Sequence, residues 1–245
     1  MRRYLISMSA LAFVAGTLAP TAAMSAGQYS KGDGNVSNGK TIFEQGKGDV
    51  PACNSCHGVD GDGDDNMGTP RLTGQGFTFL LKQLEDYATD KRMDETMFVM
   101  NANAKGMSPQ DRRDVATYLS QKRNNFAGSD LKELSANGVV TGKTNFGKSL
   151  VEIGSPELSA CKSCHGYAGR GAPPIYPVIL NQRYTYLVNQ LKKFRDGSRA
   201  NDPMGQMRAI ARKMSDDDIN NAAAYLTSAA NSTPGNIHTP YTFYE

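Results

Sequence analysis

The chain has 245 residues, 39% hydrophobic and 21% charged, a mixture that can bury a core and that excludes disordered and collagen-like classes. Lys and Arg number 27 against 24 Asp and Glu, for a formal charge of +3. That field is too weak for a polyanion binder and sets nucleic acid aside as a partner.

Arg2 and Arg3 precede the apolar run 5–18, which is followed by Pro20 and small residues up to Ala26. This order predicts a secretory signal over 1–26, cleaved after Ala23, Ser25 or Ala26, and a mature chain in the periplasm. The 14 residues of the run fall short of the ~20 needed to span a bilayer. The first repeat, 27–125, opens with a short helix over 39–44 and then reads Cys53-Asn54-Ser55-Cys56-His57-Gly58. Two thiols three positions apart at a helix start can both bond one porphyrin, and the adjacent imidazole then lies under the iron. A redox dithiol would not need the histidine. Asp60-Gly61-Asp62-Gly63-Asp64-Asp65 looks like the start of a calcium loop, but Asp65 stands where glycine is required and Arg71 where glutamate is. It reads as a solvated acidic loop.

Pro70-Arg71-Leu72-Thr73-Gly74-Gln75 leads into 77–84, whose apolar spacing predicts a helix. Met97, Met100 and Met107 follow, and Ser108-Pro109-Gln110-Asp111 is a capping-box start to a last helix carrying Tyr118 and Leu119. The polar stretch 126–137, with Gly128 and Ser129, reads as a linker. The second repeat, 138–230, repeats all of this at a shift of 107 or 108. Gly147 to Glu152 matches Gly39 to Glu44, Cys161-Lys162-Ser163-Cys164-His165 repeats the cysteine motif, and Pro177 to Gln182 matches Pro70 to Gln75. The helix over 184–191 matches 77–84, and Ser215-Asp216-Asp217-Asp218 begins the last helix with Tyr225 and Leu226. The fold class is all-α, built of two tandem homologous domains. The cofactors expected are two covalently bound haem c groups, held by Cys53, Cys56, Cys161 and Cys164, with His57 and His165 as proximal ligands. A four-cysteine zinc site would leave both histidines unexplained.

A second ligand that recurs in both repeats must be methionine, because the chain has three histidines and two are proximal. Met97 and Met100 align with Met204 and Met207. Met107 and Met214 read as core fillers, as Phe77, Phe79, Tyr184 and Tyr186 read as haem-packing core. The tail 231–245, with two prolines and His238, has no counterpart in the first repeat and reads as an extended strap. Residues 27–133 carry a net −3 and 134–245 a net +4, which predicts two docking faces of opposite sign, the acidic loop on one of them.

The two C-x-x-C-H motifs, the Gly-Gln followed by an aromatic and Lys-Gln-Leu helix, and the Ser-x-x-Asp last helix together resemble the dihaem cytochrome c4 family. The resemblance implies two tandem cytochrome c-like domains whose haems face each other with their propionates hydrogen-bonded at the interface. It implies Met100 and Met207 as the distal ligands, seven residues before Met107 and Met214, and Pro70 and Pro177 as carbonyl partners that orient the proximal imidazoles. Arg71 is a candidate propionate partner. The second repeat departs from the family at Val178-Ile179-Leu180-Asn181, where a Lys-Leu-Gly-Gly type of run is usual, and the tail is additional.

The expected function is an electron carrier, not an enzyme, between a quinol-oxidising complex or dehydrogenase and a terminal oxidase or reductase. Its partners are then membrane respiratory complexes or soluble redox proteins, with no small-molecule substrate. The alternatives are a dedicated electron-transfer subunit of a larger respiratory complex, or a dihaem enzyme such as a thiosulfate dehydrogenase or peroxidase. With every cysteine spent on attachment, only His238 is a spare imidazole for acid–base work.

Overall fold

The computed structural model describes residues 32–122 and 127–229. The signal segment, the tail and His238 lie outside the described residues. Among the described residues there are helices and four isolated β-bridges, but no strand. None of these helices is long and apolar enough to cross a membrane.

Each repeat folds around its own apolar core. In the first, α1 (Val36–Gln45), α2 (Asn54–His57), α3 (Phe77–Ala88), α4 (Met100–Gly106) and α5 (Pro109–Gln121) gather Ile42, Phe43, Leu80, Val115 and Leu119. In the second, α7 (Thr144–Glu152), α8 (Lys162–His165), α9 (Tyr184–Asp196), α10 (Gln206–Ala211) and α11 (Asp216–Ser228) repeat that order around Val151, Leu187, Ile219 and Leu226. Ser108 and Ser215 both close full capping boxes, with Asp111 and Asp218, so the last helices begin where the sequence puts them.

The first and last helices of each repeat cross at a glycine. A Cβ on Gly39 would lie 2.1 Å from the Asp114 carbonyl oxygen, and one on Gly147 1.8 Å from that of Asn221, so only glycine admits backbone contact there. Beside each crossing a tyrosine on the last helix donates to a glutamate on the first: Tyr118 to Glu44 at 3.4 Å and Tyr225 to Glu152 at 3.1 Å.

Two stretches differ from their sequence reading. Within 126–137, read as a linker, α6 (Leu131–Ala136) forms on the Asp130 N-cap, and Leu134 enters the second core. Ahead of it, Ser129 N–H donates to Thr227 Oγ1 at 2.8 Å. The acidic loop is not simply solvated. Asp65 accepts the Thr185 N–H at 3.0 Å, at the start of α9, and lies 3.8 Å from Arg183, which also donates to the Asp62 carbonyl at 2.6 Å. A carboxylate beside the first N–H groups of a helix is favoured by the helix dipole. The loop therefore fastens the first domain to the second through the Asp65 carboxylate and the Asp62 carbonyl, while the Asp62 carboxylate turns to Arg71 and Thr73 within its own domain.

Candidate functional site

A single cleft runs across the domain seam, and both cysteine motifs line it. Cys53 and Cys56 lie one turn apart about α2, with His57 closing the helix, and Cys161, Cys164 and His165 do the same at α8. No disulfide forms among the four thiols, and burial pushes Cys53 and Cys161 up to about 11. His57 and His165 are buried, and burial holds both imidazoles below their ordinary pKa, against the pull of a backbone carbonyl. Those carbonyls are the ones the family resemblance implies: His57 Nδ1 lies 3.1 Å from Pro70 O and His165 Nδ1 2.9 Å from Pro177 O. A carbonyl can only accept, so Nδ1 carries the proton and Nε2 keeps its lone pair for the cleft.

Met100 and Met207 both line the cleft. So does Met97, but its repeat partner Met204 is turned out and 89% exposed. Between these two pairs, Met97 with Met204 and Met100 with Met207, the second alone reaches the cleft in both domains. The two side chains leave from helix starts, α4 and α10. Met107 and Met214 are 4% exposed each and belong to the two cores, although they also touch the cleft. Phe79 and Tyr186 line it as well, while Phe77 and Tyr184 are buried in the cores.

Three features were missed in the sequence. Asp94 organises the loop ahead of Met100: Oδ1 accepts the N–H groups of Thr96 and Met97, and Oδ2 those of Val99 and Met100, at 3.0 to 3.3 Å. These donors outweigh burial and hold its carboxyl below the usual range. In the second domain Asp202 does part of this work, accepting from Arg208 N–H and Nε at 3.0 and 2.8 Å. The second feature is a buried pair of guanidinium groups on the cleft wall. Arg92 donates to Gln83, Tyr186 and Gln190, while Arg199 donates to Gln83, Gln190 and Asn201. Burial and the neighbouring Arg92 pull Arg199 down to about 10, and both cations overcome burial to bring the Tyr186 phenol below its ordinary value. Arg92 and Arg199, like Gln83 and Gln190, recur at the shift of 107, a signal that could have found them. The third feature is the reciprocal bonding of Gln75 and Gln182 across the seam.

Arg71, the sequence candidate for an acid side group, turns to Asp62 and the Ala127 carbonyl. A covalently attached haem requires two thiols one turn apart, an imidazole with a free Nε2, an apolar cleft and positive charge for two acid groups. The residues present fit each requirement twice, with Arg92 and Arg199 supplying the charge.

A family model described as Cytochrome c matches residues 36–122 and again 140–230. Cytochrome c4 of Pseudomonas aeruginosa is 33% identical over 183 residues, 74% of this chain and 85% of that protein. A Stutzerimonas stutzeri protein named thiosulfate dehydrogenase electron acceptor is 33% identical over 205 residues, 82% of this chain and 90% of that protein. Among solved structures, reduced recombinant cytochrome c4 from Pseudomonas stutzeri superposes with a TM-score of 0.64 at 29% identity, over 79% of this chain and 98% of that one. Thiosulfate dehydrogenase (TsdBA) from Marichromatium purpuratum superposes with a TM-score of 0.69 at 30% identity, over 79% of this chain but only 40% of that one. Fold and site define a dihaem c-type cytochrome, an electron carrier with two covalently attached haem c groups. The chain belongs to the cytochrome c family and, within it, to dihaem cytochrome c4.

Proposed function

We propose that this protein carries electrons in the periplasm from a quinol-oxidising complex or dehydrogenase to a terminal oxidase or reductase, and is not itself an enzyme. The observation that carries this reading is the single cleft across the seam, lined by two equivalent donor sets. In it Cys53, Cys56, Cys161 and Cys164 would hold the two groups by thioether bonds, with His57 and Met100 as the iron ligands in one domain and His165 and Met207 in the other. Each haem, when bound, supplies one reversibly held electron. The Pro70 and Pro177 carbonyls fix the imidazole tautomers and Asp94 fixes the approach to Met100, and an iron held by both a histidine and a methionine would keep no position for a substrate. Arg92 and Arg199 offset the acid groups inside the seam.

The relatives named thiosulfate dehydrogenase electron acceptor favour a second reading, in which the chain is the dedicated acceptor of a sulfur-compound dehydrogenase. Rapid mixing of the oxidised holoprotein with a reduced quinol-oxidising complex, and separately with a thiosulfate dehydrogenase plus thiosulfate, tests both. Two electrons per chain taken from the faster donor support carriage and select between the readings. Oxidation of thiosulfate by the chain alone, with an artificial acceptor, would overturn the carrier reading.

A further inference from the structure

The peptide joining Pro70 to Arg71 is one planar unit engaged at both ends. Its carbonyl accepts from His57 Nδ1 at 3.1 Å, and its N–H donates at 2.7 Å to Oε1 of Gln182, which lies in the other domain. Gln182 grips the same residue a second time, Nε2 donating to the Arg71 carbonyl at 2.9 Å. At the shift of 107 the arrangement returns with the domains exchanged. The peptide joining Pro177 to Val178 accepts from His165 Nδ1 at 2.9 Å, and its N–H donates at 3.1 Å to Oε1 of Gln75 in the first domain. Gln75 Nε2 then donates to the Val178 carbonyl. Both glutamines are buried, at 6% and 5% exposure.

We infer that Gln75 and Gln182 are positioning residues acting across the seam, Gln75 on the proximal histidine of the second domain and Gln182 on that of the first. This rests on the reading of His57 and His165 as iron ligands. Donating its N–H to a glutamine oxygen makes an amide carbonyl a stronger acceptor, because hydrogen bonds in a chain polarise one another by ~10–30% each. A stronger acceptor at Nδ1–H makes the imidazole a better electron donor and favours the oxidised iron. Each domain therefore lowers the potential of the other, and the seam couples the two sites electronically as well as holding them together. A glutamine that only packed the seam would not need to address the one peptide that also holds a histidine, in both domains.

The test uses the holoprotein with Gln75→Ala and Gln182→Ala made separately. In the reduced, diamagnetic state, Nδ1–H exchange at each assigned histidine is read by NMR, and an NMR-monitored redox titration gives each domain's midpoint potential. Gln75→Ala should speed exchange at His165 by about twofold, as expected of a hydrogen bond weakened by ~10–30%, leave exchange at His57 unchanged, and raise the potential of the second domain alone. Gln182→Ala should do the converse. Gln75→Glu, which keeps an acceptor for Val178 N–H, should restore slow exchange. Effects confined to the mutated domain, equal effects in both, or none would overturn the inference. Loosening of the seam alone moves both domains together. If the ring protons of His57 or His165 in the unmutated protein lack the ring-current shifts of an iron-bound imidazole, the ligand assignment itself fails.

Discussion

Replacing Gly39 by alanine sets helix propensity against helix crossing. In an exposed helix the change would stabilise by about 1 kcal/mol. Here the new Cβ would sit 2.1 Å from the Asp114 carbonyl oxygen and 2.9 Å from Tyr118 Cβ, inside the 3.0 Å that real Cβ contacts respect. The first obstacle is backbone in the middle of α5 and has no rotamer to change, so α1 must back away by about 1 Å. That displaces Ile42 and Phe43, which are 1% and 0% exposed. Because the obstacle is backbone, the overpacking cost lies at the upper end of ~1–3 kcal/mol, so after the propensity gain the net effect is a loss of about 2 kcal/mol. Gly147→Ala should cost more, because its Cβ would come within 1.8 Å of the Asn221 oxygen. The chain has no tryptophan, so guanidinium unfolding of the holoprotein is best followed by far-ultraviolet circular dichroism. A Gly39→Ala protein as stable as its parent, or more stable, would refute the crossing argument.

Met100→Ala and Met207→Ala should each remove about half of the near-infrared sulfur-to-iron charge-transfer band and open one haem to carbon monoxide, whereas Met204→Ala should change neither. Labelling of the denatured mature protein should find no free thiol, and its mass should equal the peptide plus two haems. Asp111 is depressed to about 2 because bonds from Lys47, Ser108 and Asn38 outweigh burial. The stability it contributes, about 2 kcal/mol, is complete above its ordinary value of 3.8 and is lost as pH falls towards 2. Asp111→Asn should start less stable and lose that acid-dependent part of the unfolding curve.

Much of the fold was legible because its signals are local. The cysteine motifs fix α2 and α8, apolar periodicity marks α3 and α9, and the serine caps mark α5 and α11. The repeat at a constant shift narrowed the methionines to three pairs, the core reading set Met107 and Met214 aside, and the 89% exposure of Met204 then favours Met100 with Met207. The helices α4 and α10 have 7 and 6 residues, too few for a 3.6-residue period to show. The helix α6 was hidden in the same way inside the expected linker. The seam was illegible for a different reason: Asp65 meets Thr185 and Gln75 meets Val178 over separations of 120 and 103 residues, and composition cannot say which distant backbone a polar side chain will find. Hence the acidic loop looked solvated.

The central claim is that each domain holds one haem c between a histidine and a methionine, and that each gives and takes one electron. A spectroelectrochemical titration of the mature holoprotein, recorded from the visible to the near infrared, tests it most directly. The account predicts two reversible one-electron steps per chain, with a charge-transfer band in the oxidised form scaled to two methionine-bound irons. A single electron per chain, or a band worth only one such iron, would contradict it.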